Sequence, residues 1–165
     1  MPVHPIDFEI QAHVFSTPEL LAVFDEKARF QRWLAFEAAL AEVQGELDII
    51  PLEAAQEISS RAKIEMLDIE QIKHGYTKSR NALIPIIKAL RSACKNGHGE
   101  YVHFGATTQD ALDTGYVLEI QETCSIVYRD LRQIEDLLIN LAKTYRNTPM
   151  IGRTHSQQAV PITFG

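Results

Sequence analysis

The fold follows from one segment of the sequence, TQDALDTGYVLEIQETCSIVYRDLRQIEDLLINLAKTYR (residues 108–146). Its apolar residues recur in steps that alternate between three and four, which is typical of a helix in a bundle or coiled coil. At 1.5 Å per residue this helix would be on the order of 57 Å long. We therefore expect its apolar seam to pack on equally long helices from elsewhere in the protein or from other subunits. The seam comprises Val117, Ile120, Cys124, Val127, Leu131, Ile134, Leu138, Leu141 and Tyr145.

A polar motif flanks this helix on each side. The front motif is YVHFGATTQDALDTG (residues 101–115), and the back motif is GRTHSQQAVPITFG (residues 152–165). Thr107 followed by Asp110 predicts a capping box that starts the helix. The run Asn147–Pro149 predicts its end.

Short helices are predicted before the front motif, each from a capping residue or a first-turn proline. Almost no period-two alternation occurs, so the sequence predicts an all-α protein. We expect an amino-terminal helical domain over residues 1–105 and the start of a long-helix bundle domain over residues 106–165. The predicted helices run from Ser16–Glu19 to about Phe24, from Asp25 to about Leu47, from Pro51 to Ala62, from Asp68 to about Tyr76, and from Asn81 to about Ala93.

Composition excludes several classes of protein. The 165 residues are 45% hydrophobic, which favours a packed core over disorder, and their net charge of −6 argues against nucleic acid as a partner. No apolar run approaches the roughly 18 residues of a membrane span. No secretory signal is visible, and Cys94 and Cys124 both fall in helical patterns, so a cytoplasmic location is predicted.

The front motif places hydroxyl and amide groups where a helix binds anions. Thr107, Thr108 and Gln109 lie at the predicted helix start, where free N–H groups and the helix dipole favour negative charge. Gly105 would let a ligand approach the backbone, and His103 could line the same pocket. The alternative is plain capping by Thr107 and Asp110, which the spacing alone favours.

The back motif offers the best candidate for acid–base chemistry. It contains six consecutive polar residues, Arg153–Gln158, among which His155 alone is suited to proton transfer near neutral pH. A loop in solvent is the alternative interpretation. No group of His, Cys, Asp or Glu residues has the spacing of a metal site, and no glycine loop of the phosphate-binding type occurs, so neither a metal nor another cofactor is predicted.

The two motifs resemble the first and second conserved blocks of the fumarase/aspartase superfamily. FSTPELLAVFDEKARFQRWLAFEAALAEVQGELDIIP (residues 15–51) resembles the amino-terminal helices of one branch. That branch holds the adenylosuccinate lyases and the 3-carboxy-cis,cis-muconate cycloisomerases. The resemblance covers nearly the whole chain.

The resemblance implies a homotetramer with a central bundle of long helices, in which each active site draws on blocks from three subunits. It implies an anti elimination on a small carboxylated substrate, often releasing fumarate. Thr107 and Thr108 would hold a substrate carboxylate, and His155 would protonate the leaving nitrogen. Thr154 and Gln157 would line the same pocket. No cofactor is implied.

Departures from the family pattern leave the substrate open. The third block, a Gly-Ser-Ser-x-Met-Pro-x-Lys loop that carries the serine base, is absent, so we expect the amino-terminal part of a lyase that is inactive by itself. Val14 and Phe15 stand where adenylosuccinate lyases carry Arg-Tyr, and Thr77–Arg80 lacks their histidine. The alternatives are a cycloisomerase, which often has tryptophan at the place of His155, and a non-catalytic helical interaction module.

Overall fold

The computed structural model describes His4, Asp7, Phe8, Ile10 and residues 12–165. Within these residues the fold has seven α-helices and one two-stranded antiparallel sheet, which confirms the predicted all-α class and adds a small hairpin. The helices are α1 (Ala12–Phe15), α2 (Pro18–Val23), α3 (Glu26–Glu46), α4 (Leu52–Arg61), α5 (Ile69–Ser79), α6 (Leu83–Ala93) and α7 (Thr108–Thr144). The strands are β1 (Pro149–Thr154) and β2 (Gln157–Thr163), and short 3₁₀ turns cover Ile64–Met66 and His98–Tyr101.

The helix starts lie close to where the capping residues predict them. Thr17 accepts a hydrogen bond from the N–H of Leu20 at the start of α2, and Asp25 accepts from two backbone N–H groups at the start of α3. Asp68 does the same for α5. Asn81 Oδ1 accepts from the first N–H groups of α6, so all four predicted caps are confirmed.

The chain forms two compact units, residues 1–123 and residues 124–165. In the first unit, α3 packs on α4 so tightly that a Cβ at Gly45 would lie 2.6 Å from Cβ of Ala55. The predicted domain division at Phe104–Ala106 stays a prediction. The large apolar side chains that are most completely buried are Leu34, Ile58, Leu83, Ile86, Leu90 and Val102.

The start of α7 is fixed against α3 within the first unit. A Cβ at Gly115 would lie 2.5 Å from Cδ1 of Trp33, so only glycine allows this approach. One turn further, the buried carboxylate of Glu119 accepts hydrogen bonds from Arg29, at 3.1 Å for the closest pair of atoms. Arg32 lies 3.6 Å from the same carboxylate. Packing and ion pairs together therefore position the first turns of α7.

The predicted seam of α7 is exposed in this chain. Leu131 is 53% exposed and Leu138 is 59% exposed, although both lie on the apolar face of the helix. An apolar stripe of this length in water is typical of a surface that packs on other helices. The other seam residues from Val117 to Tyr145 are exposed as well.

The second unit ends in a β-hairpin that the sequence analysis did not predict. Helix α7 ends at Thr144, a few residues before the predicted end. Strands β1 and β2 then pair from Pro149 opposite Thr163 to Thr154 opposite Gln157. The ring of Phe164 packs edge-on against Tyr145, with ring centres 5.7 Å apart.

Candidate functional site

The front motif forms a loop that leads from a buried residue to the exposed start of α7. Val102 is buried, and the chain then passes through His103 and Gly105, whose φ angles are 63° and 70°. A Cβ at Gly105 would meet no atom within 4 Å, so space remains beside this backbone. The open space is consistent with the predicted approach of a ligand.

The start of α7 contains one of the two bonds of the predicted capping box, because Asp110 accepts from Thr107 whereas the hydroxyl of Thr107 does not accept from Asp110. The backbone N–H of Thr107 donates to Oδ2 of Asp110 at 2.9 Å, and the N–H of Asp110 donates to the carbonyl oxygen of Thr107 at 3.0 Å. Within the described residues, the hydroxyls of Thr107 and Thr108 make no hydrogen bond. Capping therefore involves the backbone and Asp110, and it leaves both hydroxyls available to a ligand.

Gln109 lies on the same first turn, and its side chain points along the helix. Its amide Nε2 donates to Oδ1 of Asp113, one turn ahead. This bond is compatible with a ligand contact through the amide oxygen, which makes no bond among the residues described here.

The imidazole of His103 contacts a buried carboxylate on α3. Its Nδ1 lies 2.6 Å from Oε1 of Glu37, which is 2% exposed. Burial raises the pKa of Glu37, and the hydrogen bond from His103 opposes that shift. Glu37 is not a candidate from residue type alone, because a glutamate within a helix usually faces solvent. One signal was available, since Glu37 lies between Leu34 and Ala41 on the face that is buried.

His155 lies at the tip of the hairpin, in a two-residue turn. The φ angles of His155 and Ser156 are 47° and 61°, as in the type I′ turns that match the twist of paired strands. Neither residue is glycine or asparagine, so the turn carries backbone strain of about 1 kcal/mol or more at each position. Thr154 and Gln157 are paired directly across the strands, which brings these two predicted residues to either side of His155.

The seven predicted site residues therefore form two groups, one in each compact unit. His103, Thr107, Thr108 and Gln109 lie in and just after the front loop. Thr154, His155 and Gln157 lie at the hairpin tip, where all three are exposed. Each group brings several hydrogen-bonding side chains together on one short piece of the chain.

The part of the chain that the structure describes contains neither a metal-binding cluster nor a membrane-spanning helix. No three His, Cys, Asp or Glu side chains in it are arranged to hold a metal ion. None of its helices is both long and apolar enough to cross a membrane. The thiol of Cys94 is unreactive at neutral pH, because burial raises its pKa to about 11.

Comparison with known proteins gives one consistent result. Residues 13–165 match the protein-family model described as lyase. The whole chain is 46% identical to part of an N-acetyl-S-(2-succino)cysteine lyase from Enterococcus italicus, covering 36% of that protein. It is 39% identical to part of the adenylosuccinate lyase of Methanocaldococcus jannaschii, covering 35% of it.

A solved structure shows the same fold. The β-carboxy-cis,cis-muconate cycloisomerase of Acinetobacter calcoaceticus superposes with a TM-score of 0.87 over 94% of this chain and 37% of its own, at 33% identity. The chain thus spans about a third of the length of the curated relatives it matches.

Proposed function

Because this chain belongs to the lyase family of the fumarase/aspartase superfamily, we propose that the protein that carries it catalyses an anti β-elimination of a succinylated substrate. The products are fumarate and the group that carried the succinyl moiety. The observation that carries the proposal is the capped start of α7, which leaves the hydroxyls of Thr107 and Thr108 available for a carboxylate. The free N–H groups and dipole of the longest helix of the chain support the same ligand.

The elimination needs donors that bind a substrate carboxylate, because negative charge develops there during the reaction. We call Thr107, Thr108 and the first N–H groups of α7 the carboxylate clamp. A base removes the proton beside one carboxylate, and the electron pair moves onto that carboxylate. Preorganised donors at Thr107, Thr108 and the first N–H groups of α7 stabilise this charge. The bond to the leaving group then breaks, and the double bond of fumarate forms. The base that the resemblance implies lies on the third block, which these 165 residues do not contain.

His155 acts as the general acid for the leaving group, and Thr154 and Gln157 bind substrate beside it. A neutral amine leaves only if it is protonated, so an acid at this position is essential for a carbon–nitrogen bond. A thiolate is a better leaving group, because the pKa of a thiol is about 8.5. His155 is therefore required more strongly for a succinyl amine than for a succinyl thioether.

The substrate we favour is an S-succinylated thiol. The relative that matches this chain at 46% identity is named for N-acetyl-S-(2-succino)cysteine. The sequence also lacks the Arg-Tyr pair and the histidine segment of adenylosuccinate lyases, at Val14-Phe15 and Thr77–Arg80. Both departures argue against a nucleotide phosphate in the site. The substrate class is thereby narrowed within the elimination chemistry that the resemblance implies.

The test compares two substrates in the whole protein. N-acetyl-S-(2-succino)cysteine should yield fumarate, measured by its ultraviolet absorbance, together with one equivalent of free thiol. Adenylosuccinate should react far more slowly. Release of fumarate from adenylosuccinate alone would show that adenylosuccinate, not the thioether, is the substrate. Absence of fumarate with both compounds would overturn the lyase proposal. Thr108→Val keeps the helix start and removes one hydroxyl, so it should raise the KM for the thioether.

A cycloisomerase is the second candidate, favoured by the structural match to a muconate cycloisomerase. It would make or break a carbon–oxygen bond within one molecule. Lactone formation from 3-carboxy-cis,cis-muconate, without fumarate, would identify it. We favour elimination because a histidine stands at position 155, where a leaving group needs an acid.

We also propose that the protein is a homotetramer assembled through the exposed seam of α7, and that it is cytoplasmic. The support is the unbroken seam from Val117 to Tyr145, together with the two cysteines, which are free. The net charge of −6 argues against nucleic acid as a partner. If the seam proves to be the only functional surface, the chain is a helical interaction module.

A further inference from the structure

The contact between Glu37 and His103 joins a buried carboxylate to an imidazole ring. Oε1 of Glu37 lies 2.6 Å from Nδ1 of the imidazole, in the interior of the first unit. The second carboxylate oxygen, Oε2, is buried and has no hydrogen-bond partner among the described residues. Placing a carboxylate where half of it is unsatisfied destabilises the fold, and such a cost is typical of functional positions.

The backbone around His103 is held by separate contacts. Nε2 of Gln44, two turns after Glu37 on α3, donates to the carbonyl oxygen of Phe104 at 2.8 Å. Nη2 of Arg91 on α6 donates to the carbonyl oxygen of Val102 at 3.0 Å. The loop is therefore tied down on both sides of His103 without Glu37. What Glu37 adds is the orientation of the imidazole ring.

The orientation decides which ring nitrogen a ligand can meet. Nδ1 faces Glu37, so Nε2 is the nitrogen left for a ligand, and it makes no hydrogen bond within the described chain. His103 lies in the loop that leads into Thr107, where the proposed function places a substrate carboxylate. A carboxylate only accepts hydrogen bonds, so Nε2 must carry a proton to bind it.

We propose that Glu37 is a positioning residue that holds the imidazole of His103 by Nδ1, so that Nε2–H donates to a substrate carboxylate at the start of α7. This inference rests on the proposed function and extends its carboxylate clamp to two further residues. His103 contacts the substrate, and Glu37 acts through His103.

The proton content of the pair follows from the same geometry. The proposed contact requires one proton between Oε1 and Nδ1 and a second proton on Nε2. If the pair loses one proton, the ionised carboxylate accepts from Nδ1–H, and Nε2 becomes an acceptor that repels the substrate. Burial raises the pKa of Glu37, which favours keeping the proton, and the charged groups that face Glu37 are His103 and Arg91. Carboxylate binding should therefore weaken as pH rises.

The experiment measures the dissociation constant of fumarate by calorimetry in the whole protein, with a double-mutant cycle. Glu37→Gln can donate its amide N–H to Nδ1 at every pH, so its fumarate affinity should no longer weaken as pH rises. Glu37→Leu removes the contact with Nδ1 and should weaken fumarate binding about 10-fold at neutral pH. His103→Gln should have a similar effect. The double variant of Glu37→Leu and His103→Gln should bind no more weakly than His103→Gln alone, because Glu37 acts only through the imidazole.

Gln44→Ala is the matched control, since it removes the neighbouring contact from the same helix. It should leave the dissociation constant within about twofold of wild type. A purely structural role for Glu37 predicts another pattern, in which Glu37→Leu lowers the melting temperature without changing the fumarate affinity, and Glu37→Gln leaves the pH dependence of that affinity unchanged. That pattern would overturn the inference. If the wild-type protein neither releases nor binds fumarate, the proposed function fails, and the inference fails with it.

Discussion

Gly115 lies directly against the indole ring of Trp33, and a methyl group in its place would come within 2.6 Å of the ring nitrogen. This approach joins α7 to α3 at the second turn after Thr108. It explains why a residue that weakens helices stands inside the longest helix of the chain. The close contact fixes the position of the first turns of α7 relative to α3, and therefore the position of the Thr107–Thr108 segment proposed to bind a carboxylate.

Replacing this glycine tests whether packing or helix propensity dominates. Gly115→Ala should gain roughly 1 kcal/mol of helix propensity but lose about 1–3 kcal/mol through overpacking against Trp33. We expect net destabilisation and a lower melting temperature of the whole protein. Thr114→Ala, on the exposed neighbouring position, should be neutral or slightly stabilising. A more stable Gly115→Ala variant would mean that the indole ring moves aside at little cost.

The pH dependence of stability should report on Glu37. Burial raises the pKa of this carboxyl above its ordinary value of 4.5, so its contribution to stability is greatest below that value and is lost as pH rises through the folded value. A glutamine has no such dependence. The melting temperature of Glu37→Gln should therefore increase relative to wild type as pH rises above 4.5. Glu53→Gln, at an exposed position, is the control for the loss of one carboxylate.

The turn geometry of His155 suggests a clean way to remove its side chain. Because φ is 47° at this position, glycine fits the backbone without strain, whereas alanine does not. His155→Gly should keep the melting temperature of the whole protein and lower kcat for a succinyl amine about 10²–10⁴-fold, the usual contribution of a general acid. Turnover of a succinyl thioether should fall less.

Controls for this variant are available in the same turn. Added imidazole should restore part of the activity of His155→Gly, because it can supply the proton that the missing side chain donates. Ser156→Gly also fits its positive φ and should retain kcat. Undiminished kcat in His155→Gly with both substrates would show that the leaving group is protonated by another residue.

The exposed seam should control assembly. Leu131→Asp places a charge in the middle of the seam, and burying an unpaired carboxylate between helices costs several kcal/mol. Sedimentation velocity should show the whole protein dissociating from tetramers to smaller species. Gln133→Asp introduces the same charge on the same helix away from the seam and should leave the tetramer intact. Equal sedimentation of both variants would place the assembly surface elsewhere.

Local chemistry explains why most of the fold was predictable. Caps such as Asp25 and Asn81 act on N–H groups two or three residues away, so a short window of sequence contains the whole interaction. The heptad seam is equally local, because helical periodicity alone aligns its residues. The candidate residues at the start of α7 were found for the same reason.

The hairpin shows where local reasoning failed. Its turn uses His155 and Ser156 at positive φ, without the glycine or asparagine that usually announces such a turn. Strand β2 lacks alternation of apolar and polar residues, and all of its residues are exposed. The pattern therefore indicated a polar loop. The backbone pairing that forms the strands depends on partners across the turn, which side-chain periodicity does not encode.

The sequence by itself determined the helical class, the helix starts, the seam of α7 and the family, since each of these depends on residues close together in the chain or on motifs read in order. The tertiary structure decided three other features. It placed Glu37 under His103, Gly115 against Trp33 and Arg29 beside Glu119. These pairs are separated by many residues, and only the packing of α3 on the loop and on α7 brings them within contact distance. The buried carboxylate beneath the front motif could therefore be recognised only in the folded chain.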